Sequence, residues 1–179
     1  MDKLAKNNRE EALDVLAERL AFERTGVQLY DRILEVMERS NDEKIKAMLD
    51  QMEEYRYEEK EHEEWLEQQI CALGGDPNAK TQRVRLIETE SEGIVEVILK
   101  SNATVSEMFH ALLAAELVDN AGWALLMQLA GEAGDDNAKA EFKRRMLEEA
   151  EHLMFVRDVV QAFLVQEVLG EQVQFPTSA

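Results

Sequence analysis

Glu58-Glu59-Lys60-Glu61-His62 and Glu148-Glu149-Ala150-Glu151-His152 share the pattern Glu-Glu-x-Glu-His at an offset of 90 residues, and they hold two of the chain's three histidines. On an α-helix a step of three residues turns through about 300°, so Glu59 and His62, like Glu149 and His152, leave one face a turn apart. A carboxylate and an imidazole so placed can hold a metal ion together, and the chain offers the arrangement twice.

The apolar periodicity around these motifs predicts four long helices. Leu13, Leu16, Leu20, Glu23, Val27, Tyr30, Leu34 and Met37 recur at steps of three and four, giving a first helix over about 9–38. Glu23 is the single charge on that stripe, expensive to bury unless paired, protonated or ligated. Ser40-Asn41-Asp42-Glu43 reads as a capping box opening a second helix over 41–73, with the stripe Ile45, Met48, Met52, Tyr55, Glu59, His62 and Leu66. Gly74-Gly75-Asp76-Pro77 ends it, glycine taking the left-handed position and proline blocking extension. Thr104-Val105-Ser106-Glu107 is a second capping box, starting a helix over 105–131 with Val105, Phe109, Leu112, Glu116, Asp119, Trp123, Leu126 and Ala130 on one face.

The fourth helix, 136–168, carries Phe142, Arg145, Glu149, His152, Val156, Val159 and Phe163. The crossover, 74–104, contains the apolar cluster Ile94, Val95, Val97, Ile98 and Leu99, read as a short helix in preference to an extended segment. A connection of that length can cross a bundle, so the second and third helices are expected to run parallel. The tail, 169–179, is too short and polar for a fifth helix and is expected to be mobile or packed on the surface.

The chain is an internal repeat. Glu23 maps onto Glu116 and Tyr30 onto Trp123 at an offset of 93, while Glu59 and His62 map onto Glu149 and His152 at 90. Each half is a helical hairpin supplying one mid-helix glutamate and one Glu-x-x-His, and two such hairpins line the core of a dinuclear metal bundle. Four carboxylates carry −4 and two divalent metals +4, so the loaded cluster is neutral. Without metal the same groups repel, which couples metal binding to folding. Carboxylate and imidazole ligands suit iron first and manganese second.

Composition sets the class. One domain of 179 residues, rich in Glu, Ala and Leu with two prolines, is expected to be all-α. A net charge of −18 disfavours nucleic acid and anionic membranes in the absence of a basic patch. No long apolar run or signal-peptide core is visible, so a soluble cytoplasmic protein is expected. The lone Cys71 forms no internal disulfide, reads as filler at a helix end, and leaves this chain without a Cys-x-x-Cys iron or zinc module.

The ordered set Glu-x6-Tyr, Glu-x-x-His, Glu and Glu-x-x-His over residues 10–168 resembles the ferritin-like superfamily, with rubrerythrin and bacterioferritin nearest by motif. The resemblance implies a four-helix bundle of two hairpins joined by a long crossover. It implies Glu59 and Glu149 as bridging ligands, Glu23 and Glu116 as terminal ones, and His62 and His152 each on one metal. A ligating histidine usually donates its other N–H to a carboxylate. In bacterioferritin-like proteins that carboxylate lies across the bundle, which implies Glu58 with His152 and Glu148 with His62.

Tyr30 resembles the family tyrosine that bonds the opposite terminal glutamate, here Glu116. Trp123 stands where relatives often have a second tyrosine, so its indole N–H is expected to reach Glu23. Asp119 and Arg145 lie outside the minimal ligand set. They are expected to pair with each other, with Asp119 as an extra ligand the alternative. His110 is read as structural.

The activity implied is two-electron reduction of O2 or H2O2, or oxidation of Fe(II), with an external electron donor for any peroxidase cycle. Iron storage, manganese catalase-like chemistry and a non-catalytic metal bundle are the alternatives. A homodimer is expected, with the 94–99 cluster as its interface.

Overall fold

The computed structural model describes residues 1–171 and 173–177, and among them every regular element is helical. The chain is all-α. In order the elements are α1 (Arg9–Glu38), α2 (Glu43–Lys46), α3 (Leu49–Ala72), α4 (Gln82–Glu90), α5 (Glu92–Val95), a π-helical turn (Glu96–Lys100), α6 (Val105–Glu132) and α7 (Asp136–Leu169).

Local chemistry sets most boundaries. Asn8, Thr81, Thr104 and Asp135 accept backbone N–H bonds at the starts of α1, α4, α6 and α7, and Thr104 with Glu107 forms the reciprocal capping box. Gly74, Gly134 and Gly170 follow α3, α6 and α7 with φ of 71°, 64° and 67°, the left-handed geometry that lets the chain leave a helix.

Three local expectations need correction. The cap after α1 is Asp42, which accepts from Lys44 N at 2.9 Å, whereas the Ser40 hydroxyl only accepts from Asp42 N at 3.1 Å. The aspartate sits closer to the free N–H groups, so no Ser40–Glu43 box forms. The expected helix over 41–73 breaks at Ala47–Met48, where Met48 N bonds Ile45 O three residues back and the Met48 side chain is fully buried. The crossover contains α4, whose weak signal was only Val84 and Ile87 facing inward.

Side-chain pairs fix the helix directions. Arg9 reaches Leu73 O while Arg56 pairs with Asp31, so α1 and α3 are antiparallel. Ser106 meets Glu167 and Asn120 bonds Met146 O, so α6 and α7 are antiparallel. Lys3 meets Asp135 and Tyr30 meets Glu116, which sets α1 antiparallel to α6 and hence α3 parallel to α6.

The core has two apolar clusters with a polar layer between them. One contains Tyr30, Ile33, Met37, Met52, Phe109, Leu112, Val156 and Val159. The other contains Leu16, Leu20, Leu66, Ile70, Trp123, Leu126 and Phe142. Each fully buried large apolar side chain contributes roughly 1.5–3 kcal/mol, which holds the bundle closed above and below the layer. Ile98 is fully buried, and Ile94, Val95, Val97 and Leu99 pack partly buried against the protein's own core. The tail is not merely a polar fringe, because Phe175 is buried against Phe163 at 4.7 Å between ring centroids. Gln172, Ser178 and Ala179 of the expected tail lie outside the described residues. Cys71 is exposed and fills nothing. Among the described residues no helix is long and apolar enough to cross a membrane.

Candidate metal centre

The polar layer brings together Glu23 of α1, Glu59 and His62 of α3, Glu116 of α6, and Glu149 and His152 of α7, all at most 2% exposed. Ligand atoms of Glu59, Glu116, Glu149 and His152 lie within 4.8 Å of one another, as do those of Glu23, His62 and Glu149. A third set with the same spacing is Glu23, Glu59, Asp119 and Glu149. Glu149 is common to all three. Its Oε1 is 2.8 Å from His62 Nδ1 and its Oε2 is 3.2 Å from His152 Nδ1, so each oxygen faces a different histidine.

The far side of each imidazole is tied down across the bundle. His62 Nε2 lies 2.9 Å from Glu148 Oε2 and His152 Nε2 lies 2.7 Å from Glu58 Oε2. With Nε2–H donating outward to a carboxylate, the lone pair of each neutral imidazole is on Nδ1 and points into the layer. Tyr30 Oη donates to Glu116 Oε1 at 2.7 Å, leaving Glu116 Oε2 free.

The donor set fits metal ions. Both oxygens of Glu23 and of Glu149, Glu59 Oε2, Glu116 Oε2, and Nδ1 of both histidines are buried without a hydrogen-bond partner. Close approaches such as His62 Nδ1 to Glu149 Oε1 are short in distance but not aligned as N–H···O bonds. Buried unpaired polar atoms each cost about 1–3 kcal/mol, and this many converging on one space could hold a cation.

The electrostatics of the layer reflect the same crowding of buried carboxylates. Burial, then the neighbouring Glu149 carboxylate, push Glu59 well above the usual carboxylate range. Burial, opposed by His152 and reinforced by Glu149, pushes Glu116 up to about 8. Burial outweighs Arg19 at Asp119, which also stands well above its usual value. Burial alone would lower both imidazoles, but Glu148, Glu149 and Glu23 outweigh it at His62, and Glu149, Glu58 and Glu59 at His152, so both are raised. Glu149 is the exception: burial would raise it, yet the two histidines hold it well below the usual range. Protons thus offset part of the carboxylate charge of the layer.

Two expected contacts are corrected. Asp119 does not pair with Arg145. Its Oδ2 is 3.4 Å from Arg19 Nη2, while Arg145 bonds Glu141 at 2.9 Å and stacks 3.7 Å over the Trp65 ring. The stack and a carboxylate one turn back hold Arg145 away from the layer, although its Nε is buried without a partner. Trp123 does not reach Glu23, and its Nε1 has no partner. Arg19 Nε occupies that side of Glu23 at 2.9 Å, and the indole instead packs edge-on against His62 at 5.4 Å. His110 is exposed and apart from the site.

No known protein family, curated protein or solved structure matches this chain.

The site also contains residues not expected there from the sequence. Arg19, 6% exposed, lies one turn before Glu23 and adds a buried cation. Tyr55 lies one turn before Glu59 and stacks on His152 at 4.2 Å. Gly26 and Gly122 make room: a Cβ at Gly26 would collide with the Glu59 carboxylate, and one at Gly122 with the Arg19 guanidinium. With Asp119 and Arg19 included, five carboxylates and one guanidinium leave a formal −4, still the charge that two divalent ions balance.

Proposed function

We propose that this chain is a ferritin-like four-helix bundle holding a dinuclear iron centre that oxidises Fe(II) or reduces O2 or H2O2. The observation that carries the reading is the pair of Glu149 oxygens, each facing the inward Nδ1 of a different histidine. Glu149 and Glu59 would span two ions, Glu116 and His152 would complete one, and Glu23 and His62 the other. Manganese is the second choice on the same donors. A pair of iron ions supplies two electrons together, so that the oxidant need not be released as a one-electron radical.

The chain's own residues supply the rest. Glu58 and Glu148 hold the imidazoles in the tautomer that exposes Nδ1. The two apolar clusters keep bulk water from the layer. The Tyr30 hydroxyl can hold or return a proton at Glu116 Oε1. With one cysteine and no Cys-x-x-Cys, a peroxidase cycle on this chain needs an external electron donor.

Metal-free protein loaded anaerobically with two equivalents of Fe2+ and mixed with O2 or with H2O2 in a stopped-flow instrument tests this. Bound Fe2+ is expected to oxidise faster than the same concentration of free Fe2+. Oxidation no faster than that of the free ion with both oxidants would remove the enzyme reading.

A further inference from the structure

The two halves repeat the ligand pattern but differ at most positions between the ligands, and some of those differences fall beside the ligands themselves. At the offset of 93 that relates α1 to α6, Arg19 corresponds to Leu112, Gly26 to Asp119 and Leu29 to Gly122. Of these, Arg19, Asp119 and Gly122 meet in one place. Arg19 sets its guanidinium against Glu23 Oε1 at 2.9 Å and Asp119 Oδ2 at 3.4 Å, and the missing Cβ of Gly122 admits it. On the other side Leu29 and Leu112 are both 1% exposed and simply fill the core.

The terminal glutamates are therefore held by different donors. One oxygen of Glu116 takes a neutral hydrogen bond from Tyr30, while one oxygen of Glu23 faces a charged guanidinium. The indole of Trp123, at Tyr30's mirror position, leaves its N–H unused, and Arg19 stands in for the missing hydroxyl. A neutral donor leaves the full carboxylate charge for a metal, whereas a resident cation has already claimed part of it. The four mutually close groups that include Glu116 also include a histidine, whereas Glu23 belongs to one set of three with His62 and to one set of four without a histidine.

We infer that the two metal positions are inequivalent: the Glu116/His152 position fills first, and the Glu23/His62 position fills second, against the charge of Arg19. Asp119 is the side chain that holds Arg19 beside Glu23 from the other helix, and its Oδ1 is itself buried without a partner. The inference rests on the two-metal reading above, with Arg19 as a positioning residue that sets the order of loading.

The experiment is a stepwise Co2+ titration of the metal-free full chain, followed by calorimetry and by cobalt d–d absorption. Two events per chain are expected, with dissociation constants about tenfold or more apart, the effect of one nearby unit charge partly offset by Asp119. His152→Ala should abolish the tighter event and His62→Ala the weaker. Arg19→Leu combined with Asp119→Ala, which gives α1 the leucine of the other half, should bring the constants to within about threefold, while Arg19→Lys should keep them apart.

Equal constants in the wild type, a gap unchanged in the double variant, or loss of the tighter event in His62→Ala would each overturn the inference. If circular dichroism shows the double variant unfolded, the wild-type constants and the two histidine variants decide alone. Two equal events overturn only the order of loading, whereas no bound Co2+ overturns the two-metal reading and this inference with it.

Discussion

Metal-free protein should lose stability as the pH rises from 5 to 8, and saturating Mn2+ should reverse that trend. The sign follows from which state holds more protons. Glu59, Glu116 and Asp119 are raised in the folded chain, so above about pH 4.5 the unfolded chain releases protons that the folded one keeps. Folding then becomes less favourable with each pH unit until the folded groups titrate. For Glu116, raised to about 8, the loss across this window is on the order of 4 kcal/mol.

The histidines act in the same direction. Both are raised, so their contribution is complete below their unfolded value of about 6.5 and is lost as the pH climbs through their folded values. Glu149, being lowered, adds stability above about pH 4.5 and gives it up only in more acid solution, so it does not offset the trend. A melting temperature about 10 °C lower at pH 8 than at pH 5 is expected for chelator-treated protein. Metal binds the deprotonated cluster and competes with these protons. At a thousandfold excess over its dissociation constant it adds about 4 kcal/mol, more effectively at pH 8 than at pH 5. A metal-free melting temperature that is flat or rises with pH would contradict this electrostatic account.

The second large effect concerns Glu149, whose two oxygens address both histidines. Glu149→Gln should weaken both metal-binding events, each by on the order of a hundredfold or more, beyond the 10–100-fold typical of losing a partner behind a ligand. Glu59→Ala should also weaken both, because Glu59 belongs to ligand sets with Glu116 and with Glu23. His62→Ala should weaken mainly one. The contrast is a difference in number of events as well as in affinity, and calorimetry reads it directly. Equal losses in Glu149→Gln and His62→Ala would mean that Glu149 does not bridge.

The sequence was most legible where periodicity and chemistry coincide. Glu23, Glu116 and the two Glu-x-x-His pairs interrupt apolar stripes at matching places, and a charged residue on a buried stripe needs a reason to be there. Arg19 was missed although it sits one turn before Glu23, because a long charged side chain can usually reach water, and only the close approach beside Gly122 shows that this one does not. Tyr55 fits its stripe as an ordinary apolar member, and nothing in the spacing distinguishes a core ring from one stacked on His152. Opposite charges on neighbouring stripes do not by themselves define a pair, as Asp119 and Arg145 show. Each had a nearer partner, Arg19 for Asp119 and Glu141 for Arg145. Helix α4 was hidden because two inward residues over nine carry little periodic signal.

The most direct test of the central claim is the metal content of protein purified without chelator and then incubated anaerobically with Fe2+ or Mn2+ and desalted. Two ions per chain are expected, both lost in Glu149→Gln. Wild-type protein that retains none, while remaining folded, would contradict it.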